Sequence, residues 1–182
     1  MIAAVTERTH IPVFVLIRPR AGDFVYTRGE IDAMVRDVES AGRMRVAGIV
    51  TGALNPDRSV NAEHTLALVK AAAGLPVTFH RAFDSTPNLT DALERVIEAG
   101  ARRVLTSGGA ETALEGANTI AALVGQVAER ISIVAGGSVR EHNVREVITR
   151  TGAREIHARL VDESGMRSLV DVARRMSDAR SL

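Results

Sequence analysis

Gly100-Ala101-Arg102-Arg103-Val104 (GARRV) and Gly152-Ala153-Arg154-Glu155-Ile156 (GAREI) occupy the same place in two copies of one pattern. Each follows an amphipathic run and precedes a short apolar one. Glycine closes a helix by taking the left-handed conformation, and the strand then starts at once. A helix, a glycine and a strand in direct succession form half of a βα repeat, so this pair decides how the rest is parsed.

Working outward, strand-like cores fall at Val13–Ile17, Val46–Val50, Val77–Phe79, Val104–Thr106, Ile131–Val134 and Glu155–His157. They recur about every 23–35 residues, a spacing that suits βα units with a parallel sheet. The helices between them show their own signals. Thr27-Arg28-Gly29-Glu30 has the form of a capping box, and Ile31, Met34, Val35 and Val38 follow on one stripe. Leu89, Ala92, Leu93, Val96 and Ile97 repeat the stripe after Pro87, as do Ile120, Leu123, Val124 and Val127. Val144, Val147 and Ile148 make a shorter version. A last helix carries Met166, Leu169, Val170, Ala173 and Met176, and Ile2–His10 reads as the tail of a helix. The expected class is α/β, a TIM (β/α) barrel-like fold that is incomplete: six of eight βα units in one domain over residues 1–182.

Composition bounds the function. With 182 residues, 46% of them hydrophobic, and a formal charge of +1, the chain suits an ordinary globular domain and gives no basic excess for nucleic acid. Cysteine is absent, which excludes disulfides and thiolate metal sites. The N-terminus has no basic region followed by an apolar run, and no apolar run nears the roughly 20 residues of a membrane span. The expected location is cytoplasmic, without membrane contact.

In a parallel barrel the chemistry lies at the C-terminal strand ends. These ends read Arg18-Pro19-Arg20-Ala21-Gly22-Asp23, Thr51-Gly52, His80-Arg81-Ala82-Phe83-Asp84, Ser107-Gly108-Gly109, Ala135-Gly136-Gly137-Ser138 and Ala158-Arg159. Alternation puts Thr78 and His80 on one face, and Glu155 and His157 on one face, opposite the apolar members that meet the helices. Arg18 and Arg20 share parity and could clamp a small anion through paired hydrogen bonds, with Asp23 orienting one of them. The alternative is an Arg-Asp pair that ties the loop to the strand. His80 could be a general acid or base with Asp84 or Arg81 fixing it, or a histidine bonded inside the barrel. Thr106, Ser107, Gly108, Gly136 and Gly137 could cradle a phosphate, or simply form tight turns. Ser138 reads as a helix cap, and His10, His64 and His142 as surface residues.

The ordered motifs VLIRPRAGDFVY (15–26), GIVTGAL (48–54), VTFHRAFD (77–84), RVLTSG (103–108) and Glu155–His157 together resemble the CutC copper-homeostasis family, from about Ile11 to Val161. The resemblance implies a TIM-barrel-like fold, a cytoplasmic location and a role in copper homeostasis. It marks Arg18, Arg20, Asp23, His80, Arg81, Asp84, Thr106, Ser107 and His157 as motif positions. If copper is bound, imidazole is its expected ligand, which makes His80 and His157 the candidates. Members of the family ordinarily begin with two further βα units. A late start codon is the favoured explanation for their absence, and open strand edges make a homo-oligomer the expected state. The competing reading is an enzyme for a small anionic or phosphorylated metabolite, with His80 as acid or base beside an arginine clamp.

Overall fold

The computed structural model describes residues 1–127, 129–159 and 162–178. The chain divides into two compact units, Met1–Val104 and Leu105–Leu182.

In the first unit, helix α1 (Ile2–Arg8) precedes β1 (Phe14–Leu16), α2 (Arg28–Arg43), β2 (Gly48–Thr51), α3 (Ala62–Ala71), β3 (Val77–Phe79), α4 (Leu89–Glu98) and the start of β4 (Arg103–Thr106). The strands lie side by side in chain order, all parallel, with Val15 opposite Ile49, Val50 opposite Thr78 and Phe79 opposite Val104. Alternation does what the sequence predicts. Ile17, Ile49 and Val77 point into a core shared with Ile31, Met34, Val38 and Ala41 of α2 and Leu68 of α3. At the start of α2 the Thr27 hydroxyl accepts from the Glu30 amide, while the Glu30 carboxylate accepts from the Thr27 amide, completing the capping box. Helix α3, which the apolar pattern does not single out, is capped by Asn61 accepting from the His64 amide at 2.9 Å.

The second unit holds α5 (Ala117–Val127), β5 (Ser132–Gly136), α6 (Glu141–Thr151), β6 (Glu155–His157) and α7 (Glu163–Asp178). Strands β5 and β6 are parallel, with Ala135 opposite Ile156. Ile120 and Leu123 of α5 and Val144 and Val147 of α6 are buried. The glycines of the repeat behave as expected: Gly100 has φ 86° and Gly152 has φ 69°. Two expectations change. Helix α6 is capped at Arg140, whose amide donates to Asn143 Oδ1 at 2.8 Å, so Ser138 is not its cap. On α7 only Leu169 of the predicted stripe is buried, while Met166 and Val170 stay exposed where the helix rests on α6.

Alternating parallel strands and helices make this a TIM-barrel-like α/β fold, with six strands among the described residues where a closed barrel has eight.

Candidate functional site

The strand ends of the first unit meet at His80, the residue after β3. Its amide donates to Thr51 O at 2.9 Å, continuing the ladder with β2 for one more rung. The ring then turns to cap a short 3-10 helix, Arg81–Ser85, with Nδ1 accepting from the Ala82 amide at 3.2 Å. A Cβ on Gly52 would fall 2.8 Å from His80 Nδ1, so the ring fits only because residue 52 is glycine. Phe24 and Phe79 complete its surroundings, with ring centroids 4.9 and 6.1 Å away. His80 is only 7% exposed.

This enclosure fixes the chemistry of the imidazole. Burial, with a smaller contribution from the charge of Arg18, lowers the His80 pKa to about 4, against a lone backbone hydrogen bond that raises it. The ring is therefore neutral near pH 7. Because Nδ1 accepts an amide hydrogen, the proton resides on Nε2. Nε2 is buried and has no hydrogen-bond partner among the described residues. His80 thus presents an unused donor.

The neighbouring predicted residues fall into two groups. Arg18 is exposed; it donates to Gly22 O at 2.7 Å and lies over the Phe24 ring, 4.6 Å from its centroid. No carboxylate pairs with it among the described residues. Arg20, by contrast, spends its donors inside its own loop. It bonds Glu30 Oε1 at 2.5 Å, Asp23 Oδ1 at 2.9 Å and Val25 O at 2.7 Å, and the Glu30 carboxylate, followed by that of Asp23, raises its pKa. Arg20 and Asp23 therefore match the loop-tying alternative, leaving Arg18 as the arginine open to a ligand. Asp84 pairs with Arg81 at 2.8 Å rather than with the imidazole, so it steadies the 3-10 helix instead of orienting His80.

In the second unit the predicted cradle is already filled by protein. Gly108 N donates to Thr106 Oγ1 at 2.8 Å, and Ser107 Oγ donates to Ala110 O at 2.5 Å. A Cβ on Gly108 would meet Gly116 O at 2.5 Å, one on Gly137 the Ser107 side chain at 3.0 Å, and one on Gly136 the Leu105 side chain at 2.6 Å. These glycines permit close packing between the loops after β4 and β5. Glu155 accepts from Ser132 Oγ at 2.5 Å, and His157 is exposed at the end of β6. A cleft lined by Val124, Val127, Ile131 and Ile133 together with Glu129 and Arg154 opens near the starts of β5 and β6, the end of such strands that serves stability.

Copper does not fit the donors on view. Among the described residues no three His, Cys, Asp or Glu side chains gather where they could hold a metal. His80 Nε2 carries a proton, Nδ1 is engaged, and the charge of Arg18 reaches the ring. A cation is disfavoured there and an acceptor oxygen is favoured.

The strand ends pointed to Thr51-Gly52 but not to Phe24 and Tyr26, nor to the space that Gly52 leaves for the His80 ring. Phe24 and Tyr26 follow Asp23 with the same parity as Arg18 and Arg20, and Gly52 ends β2; those were the available signals.

Comparison with known proteins places the chain. The family model for the CutC family matches residues 1–161. A CutC-family protein of Xylella fastidiosa strain Temecula1 is 51% identical over 158 residues, 87% of this chain and 59% of that protein. One from Xanthomonas campestris pv. campestris strain 8004 is 50% identical over 157 residues, 86% of this chain and 65% of that protein. The chain thus spans less than two thirds of the length of these relatives. A crystal structure of CutC from Streptococcus agalactiae, described as a candidate copper homeostasis protein, superposes with a TM-score of 0.82 at 32% identity over 86% of this chain and 78% of that one. Motifs, fold and comparisons agree: the chain belongs to the CutC family.

Proposed function

We propose that this protein serves copper homeostasis, the role for which its S. agalactiae relative is described, through recognition of a small anionic molecule at the ends of β1, β2 and β3. The observation that carries the anion is the unpartnered Nε2–H of a neutral, buried His80 beside Arg18. A donor and a cation side by side complement an acceptor oxygen, not a metal ion.

Catalysis at the same place is the second reading, and the tautomer narrows it. With Nδ1 occupied by Ala82, His80 acts as a donor that polarises an acceptor, not as a base. Asp84, held by Arg81, has no part in that step.

Thermal-shift measurements with inorganic phosphate, acetate and citrate test the proposal on the full chain. Stabilisation by at least one of them, removed by Arg18→Gln, is expected. Isothermal titration with copper(II) should give the same isotherm for the wild type and His80→Ala. Tight copper binding that disappears in His80→Ala would overturn the anion reading.

A further inference from the structure

A second buried donor lies within reach of the same arginine. Tyr26, the last residue before the cap of α2, is 5% exposed, and its hydroxyl is buried without a hydrogen-bond partner among the described residues. Burial raises its pKa, and Arg18 opposes that shift by its charge and then as a donor facing the phenolic oxygen; arginine offers no acceptor, so the hydroxyl's own hydrogen is left unused. Arg18 reaches the surroundings of His80 as well: it lies over the Phe24 ring, 4.6 Å from the centroid, and that ring packs 4.9 Å from the imidazole. Two unused donors, one phenolic and one imidazole, therefore lie near one guanidinium that has no carboxylate partner among the described residues. A buried polar group left unpaired is destabilising and calls for an explanation. Two such groups around one cation share one.

The charges decide which anion. Arg18 brings one positive charge. His80 is neutral because its Nδ1 accepts an amide hydrogen, and Tyr26 is a neutral phenol. Arg20 is balanced by Asp23 and Glu30, and Arg81 by Asp84. A carboxylate matches this set: a single charge for Arg18 and lone pairs on two oxygens for the neutral donors. A phosphate dianion would bring a second charge with nothing to balance it, at a cost that grows with burial.

We infer that Tyr26, His80 and Arg18 form a receptor for the carboxylate of a small organic acid, with Tyr26 as a specificity-determining residue. This rests on the anion reading above and narrows it. Arg18 is the exposed member, so the acid approaches from its side, with the buried donors completing the contact.

Isothermal titration of the full chain at pH 8 tests it, with pyruvate as the carboxylate probe and inorganic phosphate as the dianion. Pyruvate is expected to bind more tightly than phosphate. Tyr26→Phe, which keeps the ring, is expected to weaken pyruvate by about tenfold and to leave phosphate unchanged. Arg18→Gln abolishes both. Phosphate binding as tightly as pyruvate would overturn the carboxylate inference and leave the anion reading standing. So would Tyr26→Phe binding pyruvate like the wild type while Arg18→Gln loses it. Failure of both anions to bind the wild type would sink the two together. The wild-type comparison needs no variant, so poor folding of a mutant cannot obscure the result.

Discussion

Gly52 and Gly116 both lack a side chain because something else occupies the space, and what occupies it differs. At Gly52 it is the His80 imidazole, a polar ring with one donor left over. At Gly116 it is the carbonyl of Ser107, backbone against backbone, with the surrounding polar groups bonded to one another. In sequence the two regions look alike, since each combines glycines and hydroxyl or charged residues just past a strand. They separate only when each donor and acceptor is matched to a partner. The second region satisfies itself; the first retains unused donors among the described residues and is the candidate site.

The largest effect should come from closing the space at Gly116. A methyl group there collides with the Ser107 carbonyl, which cannot swing aside as a side chain would. Gly116→Ala is expected to destabilise the protein by about 4 kcal/mol, measured from the urea midpoint. A change within a few tenths would show that the β4 loop is not held as described.

Next is the pH dependence of stability. His80 has a folded pKa of about 4 against an ordinary 6.5, so the folded state binds its proton less readily than the unfolded chain. This contribution is fully present above pH 6.5 and is lost as pH falls toward 4, amounting to about 3 kcal/mol. Urea titrations between pH 4 and 7 should show that slope in the wild type and a shallower one in His80→Asn. Equal slopes would mean that the ring is not buried in the neutral form.

A smaller pair of effects compares the regions directly. Thr106→Val removes the acceptor for the Gly108 amide in a self-satisfied loop and should cost about 2 kcal/mol. Tyr26→Phe removes a hydroxyl whose hydrogen finds no acceptor among the described residues, so without ligand it should be neutral or slightly stabilising. Thermal unfolding of both variants checks this. If Tyr26→Phe is as costly as Thr106→Val, the hydroxyl is already used by the protein.

The fold was largely legible because its signals are local. GARRV and GAREI place two helix ends, and the apolar run Val77–Phe79 coincides with β3. Alternation turned Val77 toward the helices, where it joins the core with residues of α2 and α3. Helix α3 escaped because Leu66, Leu68 and Val69 make no clean stripe, and its start is marked by Asn61 alone. The site was half legible. Residue type identified Arg18 and His80 but could not separate Arg18 from Arg20, because the partner that occupies Arg20, Glu30, lies ten residues away across a loop. Nor could it pair Asp84 with Arg81 instead of His80, since both arrangements have suitable spacing. Tyr26 reads as core from its place before α2; only the orphaned hydroxyl reveals it.

The account rests on a neutral His80 with its proton on Nε2. Long-range 15N–1H correlation spectra of the full chain, labelled at histidine and acquired at pH 7, report that state directly. The predicted result is one ring with an acceptor-type Nδ1 and a protonated Nε2, unchanged down to about pH 5, with the Nε2 resonance moving when pyruvate is added. A His80 ring that is protonated on both nitrogens at pH 7, or that carries its proton on Nδ1, would contradict it.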